Sequence, residues 1–474
     1  MYDSGAFKQL VATGHPTGEV VGVERFLVSV KGLEGVAAGG LVLFESGQRG
    51  MVREASNEQV LVLNLDTENT NLGELVVVQN NTLTTGVGTG LIGRVVTPLL
   101  KPLDGKGPVT IEANWPVFNQ APGMMERQTL KDQLATGVTI VDTLFPIVLG
   151  QRIAILGDSK VGKSSFLLQV GAHQAKTDRV MVYVLIGKRR VEIDHTVSTL
   201  IATGAMENSI VIVADIFSSL AQSYLAPYIG CAIAEYLWHT DRDVVIMYDD
   251  LSSHAKVYRE VSLLARGNPG RESYPGDMFY AHSSLLERAG KLAKNGKTLT
   301  ALPTILTPSD DITAYLPTSI MSITDGQLIF DMATFRKNIR PAVNTALSVS
   351  RVGGRAQSAR QKDITGALFK QLAEYRQAEE FAHFGADMAP ETRLALDFGR
   401  LIYDILHQPA DELFSLAEQQ LMFEVIFAEG SHGVDVAQLK KLVKATSHKL
   451  KDPVDYPSVA QQLLATLGQK VMPA

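Results

Sequence analysis

Residues 153–164 read Ile-Ala-Ile-Leu-Gly-Asp-Ser-Lys-Val-Gly-Lys-Ser and decide the fold of the central part of the chain. They match the pattern G-x-x-x-x-G-K-[ST] at every defined position. An apolar run typical of a buried strand opens the stretch, and residues 165–172 after it have helical spacing. This order of strand, glycine turn and helix is typical of an α/β domain whose helix N-terminus binds an anion. The alternative, a glycine turn that ends in lysine and serine by coincidence, does not account for the flanking strand and helix.

The residue types in this loop suit a nucleoside triphosphate complexed with Mg²⁺. Glycines let backbone N–H groups point inward around phosphate oxygens without an obstructing Cβ. We expect Lys163 to contact the β and γ phosphates and the Ser164 hydroxyl to ligate the metal. The predicted nucleotide contacts of the loop are Gly157, Asp158, Ser159, Lys160, Val161, Gly162, Lys163, Ser164 and Ser165.

A second stretch, residues 243–250, is an apolar strand that ends in two aspartates. In phosphate-loop proteins one such carboxylate holds the magnesium ion, directly or through water. We favour Asp249, as the first acid past the strand, for this role. Alone the signal is weak, because many strands end in a solvated aspartate.

Hydrolysis of a triphosphate also needs a group that orients or activates water, often a carboxylate. In ring-shaped ATPases with this order of elements, a glutamate follows the glycine after the next strand, and here that position is Lys188. An ammonium ion cannot accept a proton from water. Glu192 lies four residues later, and we interpret it as a solvated helix carboxylate rather than a replacement base. The sequence therefore predicts nucleotide binding without turnover.

Residues 348–354 place Arg351 on a short strand, just ahead of two glycines. An arginine in this setting suits a finger that neutralises transition-state charge in a neighbouring subunit's site. Taken without context, it is more often a loop residue paired with a local carboxylate.

Length and composition limit the classes of protein. The 474 residues allow several domains, and the net charge of −6 argues against a general nucleic-acid binder. The one cysteine, Cys231, has no partner for an internal disulfide, which favours a reducing compartment. No apolar run reaches the roughly 18 residues that span a bilayer, and the N-terminus lacks the order of a signal peptide. We expect membrane contact only through other subunits.

The hydrophobic pattern predicts a multidomain α/β protein. Short valine-rich runs separated by turn residues predict an N-terminal β-barrel over residues 1–80. Strands apolar on both faces alternate with helices in residues 81–357, which predicts a nucleotide-binding P-loop domain with a mostly parallel sheet. Residues 358–474 carry apolar residues at helical spacing and predict a C-terminal helical domain.

Most of the sequence resembles the alpha subunits of F-type ATP synthases. The resemblance is carried by residues 90–96, 104–108, 121–128, 224–231, 248–280, 285–288, 322–326, 339–342 and 348–354, including Asn-Pro-Gly-Arg-Glu-Ser-Tyr-Pro-Gly-Asp-Met-Phe-Tyr at 268–280. It implies a RecA-like central domain, and a non-catalytic site that holds Mg²⁺ with ATP or ADP. It also implies an alternating heterohexamer with a catalytic beta-type subunit, around a central-stalk gamma-type subunit. The complex would be a rotary proton-translocating ATP synthase.

The resemblance also implies roles for single residues. Arg351 falls on the arginine that alpha lends to the catalytic site of beta, and Ser322 on a serine near that site's phosphate. Arg340 and Pro341 match positions beside the adenine, and Gln408 matches one of two glutamines of the adenine pocket. The second glutamine is replaced by Ala410.

Several features depart from the family. Lys160 and Lys188 add positive charge where alpha subunits usually carry glutamine, and only about 17 residues precede the first strand. The short N-terminus leaves the peripheral-stalk contact unassigned. We expect a peripheral protein on the cytoplasmic face of the inner or plasma membrane. Two alternatives stay open: a self-sufficient homohexameric motor of the export or helicase type, against which Lys188 argues, and an assembly scaffold with a vestigial site, against which the intact loop argues.

Overall fold

The computed structural model describes residues 4–56, 58–66, 70–265, 267–382, 389–428, 433–447 and 456–468. The protein divides into two compact units. The first comprises Met1–Thr129, Thr177–Leu306 and Thr313–Thr324, and the second comprises Leu130–Lys176, Thr307–Ile312 and Asp325–Ala474.

A closed six-stranded barrel opens the first unit. One helix precedes it, and the bounds are α1 Ser4–Ala12, β1 Thr17–Glu24, β2 Leu27–Lys31, β3 Leu41–Phe44, β4 Arg49–Ala55, β5 Val60–Asn64 and β6 Leu75–Asn80. The strand order is β1-β2-β5-β4-β3-β6, and β6 pairs with β1 to close the barrel. Valines two residues apart, such as Val28 with Val30 and Val60 with Val62, fill the interior, because alternate side chains of a strand point to one face.

The central part of the sequence alternates strands and helices. Its strands are β7 Thr84–Val87, β8 Arg94–Val96, β9 Ala113–Pro116, β10 Gln133–Leu134, β11 Ile147–Val148, β12 Ala154–Gly157, β13 Val180–Lys188, β14 Ser209–Asp215, β15 Val244–Asp249, β16 Gly290–Lys291, β17 Thr298–Leu306, β18 Gly326–Phe330 and β19 Val349–Ser350. Its helices are α2 Thr139–Leu144, α3 Lys163–Gln174, α4 Arg190–Ala202, α5 Leu220–His239, α6 Leu251–Leu264, α7 Met278–Leu286, α8 Tyr315–Ile323 and α9 Met332–Arg336.

The first unit contains five parallel strands in the order β8-β14-β13-β15-β17. Every residue of β15 is buried, as are the first seven residues of β13. Burial on both faces explains why these strands read as unbroken apolar runs. The sequence placed Asp249 just past its strand, but the structure makes it the last residue of β15, so Asp250 is the first acid beyond the strand.

In the second unit, β12 pairs in parallel with β18, and β18 pairs antiparallel with β19. The strand β12 leads into the glycine loop, and α3 begins at Lys163 directly after it. These two elements hold the loop at both of its ends.

The rest of the second unit is helical: α10 Ala359–Ala382, α11 Pro390–Leu406, α12 Leu416–Phe427, α13 Val436–Thr446 and α14 Tyr456–Gly468. The buried residues of α11 recur at helical spacing, with Leu396, Ile402 and Ile405 on one face. The predicted fold class is confirmed: an N-terminal barrel, a central nucleotide-binding domain with a mostly parallel sheet, and a C-terminal helical domain. The exact domain boundaries stay predictions.

Within the described ranges, no helix combines the length and the apolar character needed to cross a membrane.

Candidate functional site

The glycine loop between β12 and α3 has a shape that a side chain at Gly157 would disrupt. A Cβ added there would lie 2.5 Å from the carbonyl oxygen of Phe330, on the neighbouring strand β18. That carbonyl is backbone and cannot move aside, so only glycine allows this approach. The loop therefore turns tightly over the end of β18.

Hydrogen bonds hold the loop in place. Lys163 donates from Nζ to the carbonyl oxygens of Gly157 and Asp158, each at 2.7 Å. The Asp158 carboxylate accepts from the backbone N–H groups of Ser159 at 2.6 Å and Ser309 at 3.0 Å. The N–H of Thr307 donates to the Gly157 carbonyl at 3.0 Å. The segment 307–312 thus stabilises the loop through hydrogen bonds, and the Lys163 ammonium lies against the loop.

The end of the loop is suited to an anion. Ser164 and Ser165 lie in the first turn of α3, where backbone N–H groups point out of the end of the helix. The helix dipole adds partial positive charge there, and Lys163 adds a full one. In chemical terms, this end of α3 can hold phosphate oxygens.

The same unit brings three further predicted residues close to α3. Gln169, on α3, donates from Nε2 to the carbonyl of Pro409 at 3.4 Å, and the N–H of Gln408 donates to the carbonyl of Arg340 at 2.7 Å. Gln169 lies six residues along the helix from Lys163, or about 9 Å at 1.5 Å per residue. The bond from Gln169 therefore places Pro409, the residue after Gln408, beside α3.

The side chains of this segment are already occupied by backbone partners. Gln408 is buried, accepts from the N–H and the hydroxyl of Thr139 at 2.9 and 3.0 Å, and donates to the carbonyls of Gly137 and Glu412. Direct recognition of adenine by Gln408 would require these bonds to be exchanged.

Arg340 is held in a similar way. Its Nη1 donates to the carbonyls of Phe335 and Ile339, and its guanidinium lies 3.5 Å from the centre of the Phe335 ring. Pro341 follows through a cis peptide bond, and Ala410 is exposed. The adenine contacts of Arg340, Pro341 and Gln408 stay predictions.

In the first unit, the candidate magnesium carboxylate is bonded to a lysine. Lys188 Nζ donates to Asp249 Oδ1 at 2.7 Å, and the hydroxyl of the buried Thr304 donates to the same oxygen at 3.1 Å. Burial alone would lower the pKa of Lys188, but the nearby carboxylates of Asp249 and Asp250 outweigh it, and the pKa is raised. Lys188 is therefore a fixed ammonium ion.

The local backbone directs Lys188 to this position. Lys188 ends β13 and Asp249 ends β15, and these strands are parallel neighbours in which Leu185 pairs with Asp249. The register of β13 against β14 shifts between Ile186 and Lys188, which leaves Gly187 as an extra residue with φ +66°. Such a bulge redirects the side chain that follows it, and glycine accommodates the positive φ.

Two other acids near Lys188 have structural partners. Asp250 caps the N-terminus of α6 by accepting from the N–H of Ser253 at 2.6 Å, and burial raises the pKa of Asp250. Glu192 accepts from the N–H and Nε of Arg189 at 3.0 and 3.1 Å, so it caps the start of α4. The cap agrees with our interpretation of Glu192 as a helix carboxylate.

The predicted metal ligands are the hydroxyl oxygen of Ser164 and a carboxylate oxygen of Asp249. Oxygen atoms of this kind are the ligands that Mg²⁺ prefers. Asp249, however, already shares one oxygen with an ammonium ion and a hydroxyl. Across the described ranges, no group of three or more His, Cys, Asp or Glu residues could hold a metal by itself.

Arg351 lies directly after β19, on an anchored backbone. Its N–H donates to the carbonyl of Asp325 at 3.0 Å, and the Asp325 carboxylate is bonded to Arg152 at 2.8 Å. The hydroxyl of Ser350 donates to the carbonyl of Pro146 at 2.8 Å. The residue itself is exposed, so a rigid base carries a side chain that reaches the surface.

Ser322 belongs to the other unit, where it is exposed on α8. Its hydroxyl donates to the carbonyl of Thr318, one helical turn earlier, at 2.9 Å. This bond is the ordinary one for a helical serine and assigns no role by itself.

Our sequence reasoning missed the contact between Lys188 and Asp249 and the bond from Ser309 to Asp158. The first had a signal, because both residues follow apolar strands and the carboxyl ends of neighbouring parallel strands lie at one edge. The second had none, since it depends on where a distant loop is packed.

Comparison with known proteins agrees with this fold and loop. The family model for the nucleotide-binding domain of the ATP synthase alpha/beta family matches residues 137–350, and the family model for the C-terminal domain of ATP synthase alpha and beta subunits matches residues 357–467. A protein of Caldanaerobacter subterraneus subsp. tengcongensis named ATP synthase subunit alpha is 39% identical over 443 residues, which cover 93% of this chain and 87% of that protein. A protein of the same name from Anaplasma marginale is 40% identical over 446 residues, covering 92% of this chain and 88% of that protein. On the strength of this fold, this loop and these matches, the chain belongs to the ATP synthase alpha/beta family.

Proposed function

We propose that this protein is the alpha-type subunit of a rotary proton-translocating ATP synthase, that it binds ATP or ADP with Mg²⁺ without hydrolysing the nucleotide, and that it lends Arg351 to a neighbouring catalytic site. One observation carries the non-catalytic role. The position where catalytic ring members carry a glutamate holds Lys188, whose ammonium is bonded to Asp249 at 2.7 Å. A cation in this position cannot act as a base toward water.

The nucleotide role is supported by the loop between β12 and α3. Its backbone, together with Lys163 and the N-terminus of α3, would hold the phosphates, and the hydroxyl of Ser164 would hold Mg²⁺. Asp249 is the proposed carboxylate for the metal, which when bound would neutralise phosphate charge. Residues 340–341 and 408 are the proposed adenine segment.

The names of the relatives, ATP synthase subunit alpha, support a place in a complex of several subunits. We propose alternation with a catalytic beta-type subunit in a hexamer around a gamma-type stalk subunit. Arg351 would serve the catalytic site of the beta-type neighbour, and Ser322 would lie near the phosphate of the same site. The complex would place this protein at the cytoplasmic face of a membrane without inserting it.

The purified protein tests the non-catalytic role. We expect it to bind ATP in equilibrium dialysis with Mg²⁺ and to release no more phosphate than a Lys163→Ala variant. That variant should bind ATP about tenfold or more weakly, because a hydrogen bond to a charged group contributes about 1.5–3 kcal/mol. Phosphate release by the wild type well above the Lys163→Ala level would favour the self-sufficient homohexameric motor instead.

A further inference from the structure

The peptide bond between His407 and Gln408 is held at both of its polar ends. Its carbonyl oxygen accepts from Nζ of Lys440 at 2.5 Å, and its N–H donates to the carbonyl of Arg340 at 2.7 Å. A peptide unit is planar, so hydrogen bonds at its two ends restrict the orientation of the whole unit. Through this one peptide, Lys440 acts on the backbone of both Gln408 and Arg340.

Lys440 reaches this peptide from helix α13. Its Nζ also donates to the carbonyl of Asp404 at 3.2 Å and lies 3.8 Å from a carboxylate oxygen of Glu412. Asp404 belongs to the last turn of α11, where the carbonyl groups point out of the helix and the helix dipole favours a cation. The Lys440 side chain is 11% exposed, and burial lowers its pKa more than the nearby carboxylates raise it. The ammonium is therefore enclosed by the end of α11 and the segment that follows, and it ties that segment to α13.

The same segment is attached to the helix that follows the glycine loop. Gln169 of α3 donates to the carbonyl of Pro409, and the side chain of Gln408 is bonded to Thr139 and Gly137 at the start of α2. Residues 408–409 are thus held by α3, by the start of α2 and, through Lys440, by α13. The hydrogen bonds described above for the glycine loop come from other residues. Loss of the Lys440 bonds would therefore free the peptide between residues 407 and 408 to turn, while those loop bonds remain.

We propose that Lys440 is a positioning residue for the base of the bound nucleotide, and that it sets the preference for adenine over guanine without contacting either base. The inference rests on the proposed function, which assigns Arg340, Pro341 and Gln408 to the adenine. Adenine carries an amino donor where guanine carries a carbonyl acceptor. A site distinguishes the two only if its own donors and acceptors are held in a fixed orientation. Lys440 supplies that fixation at the peptide between His407 and Gln408.

The experiment measures the Kd values of ATP, GTP and inorganic tripolyphosphate for the purified full-length protein in Mg²⁺ by isothermal titration calorimetry. The wild type should prefer ATP to GTP. Lys440→Met keeps the length of the side chain and removes its charge and its hydrogen bonds. We expect it to lower the preference for ATP about fivefold, within the roughly 2–30-fold effect of substitutions that do not touch the ligand. The Kd of tripolyphosphate, which has no base, should stay at the wild-type value.

Two further variants separate the position of the charge from its presence. Lys440→Arg keeps a charged donor and should restore the preference for ATP. Lys441→Met is the matched control, because it removes the same charge from the next residue of α13, which is exposed. Its preference for ATP should equal that of the wild type.

The tripolyphosphate measurement distinguishes positioning of the base from general support of the fold. If Lys440→Met weakened tripolyphosphate binding as much as ATP binding, Lys440 would support the whole site and the inference would be wrong. Equal affinity of the wild type for ATP and GTP, or an unchanged preference in Lys440→Met, would also overturn it and leave the proposed function standing. Failure of the wild type to bind any of the three ligands would instead overturn the proposed function. Should Lys440→Met not fold, Lys440→Gln, which keeps an uncharged donor, takes its place with the same expected direction, and an unchanged preference there has the same meaning.

Discussion

The backbone of Arg351 is held by a hydrogen bond, and its side chain is exposed. Its N–H is bonded to Asp325, whose carboxylate pairs with Arg152, and Ser350 before it is bonded to Pro146. For a group that must meet a transferring phosphate in another subunit, such an anchor lowers the cost of positioning the guanidinium.

The finger proposal makes a prediction for the complex with a beta-type partner. Arg351→Ala should lower steady-state ATP hydrolysis about 10³-fold or more, the usual effect of losing an arginine finger. The affinity of this protein's own loop for ATP should not change, because the proposed finger serves the site of the neighbouring subunit. The two quantities are measured by coupled-enzyme turnover and by nucleotide binding to the isolated subunit.

Arg355 provides the matched control, since it is exposed in the same short segment. Arg355→Ala should leave hydrolysis by the complex within about twofold of wild type, as most exposed substitutions are mild. If Arg351→Ala left turnover equally intact, the finger role would be wrong.

At the scale of elements, helix α2 is tied to helix α12 through one buried acid. Asp142 on α2 accepts from the N–H and hydroxyl of Thr136, from the N–H of Gly137 and from Gln419 of α12. Burial raises the pKa of Asp142 from 3.8 to about 6 despite these bonds. The acid therefore links the loop before α2 to the helical domain and is sensitive to pH.

The raised pKa predicts the direction of a pH effect. The folded state holds the Asp142 proton more tightly than the unfolded state, so unfolding releases a proton between about pH 4 and 6, and rising pH destabilises the fold there. The shift from 3.8 to about 6 corresponds to a loss of at most about 3 kcal/mol, complete above about pH 6. Chemical denaturation of the wild type and of Asp142→Asn at several pH values measures this loss of stability.

Subtracting the free energy of unfolding of Asp142→Asn from that of the wild type separates the effect of Asp142 from the effects of the other titrating residues. The free energy of unfolding of wild type, relative to Asp142→Asn, should fall as pH rises from about 4 to 6 and then stay constant. A difference that rose with pH over this range would mean that the four hydrogen bonds outweigh burial, with the pKa of Asp142 lowered rather than raised.

Elements with strong periodicity could be predicted from the sequence, and contacts between distant segments could not. The apolar runs that became β13 and β15, and the loop before α3, could be recognised because burial and phosphate binding constrain each residue locally. The engagement of Gln408 by Thr139 joins residues 269 positions apart and depends on how α2 and the segment after α11 pack. Local pattern carries no information about such a distance, so the family resemblance alone drew attention to Gln408.

At the scale of the whole molecule, the first unit exposes several large apolar side chains. Phe217, Val191 and Ile201 are 83%, 78% and 62% exposed. Val191 and Ile201 lie on α4, and Phe217 follows β14. Single exposed apolar residues are common, whereas exposed apolar side chains that lie together are typical of a surface that a partner covers.

Phe217 therefore tests assembly. Burying a phenylalanine side chain contributes about 1.5–3 kcal/mol, so Phe217→Ser should weaken association with a beta-type partner about tenfold or more if that surface is covered in the hexamer. The isolated subunit should unfold at nearly the wild-type temperature, because the side chain is already in water. His195→Ser, which changes a polar residue on α4, should leave association unchanged. Native mass spectrometry across a dilution series measures the association of each variant with the beta-type partner. If Phe217→Ser associates as strongly as the wild type, Phe217 stays in solvent in the ring and the interface lies elsewhere.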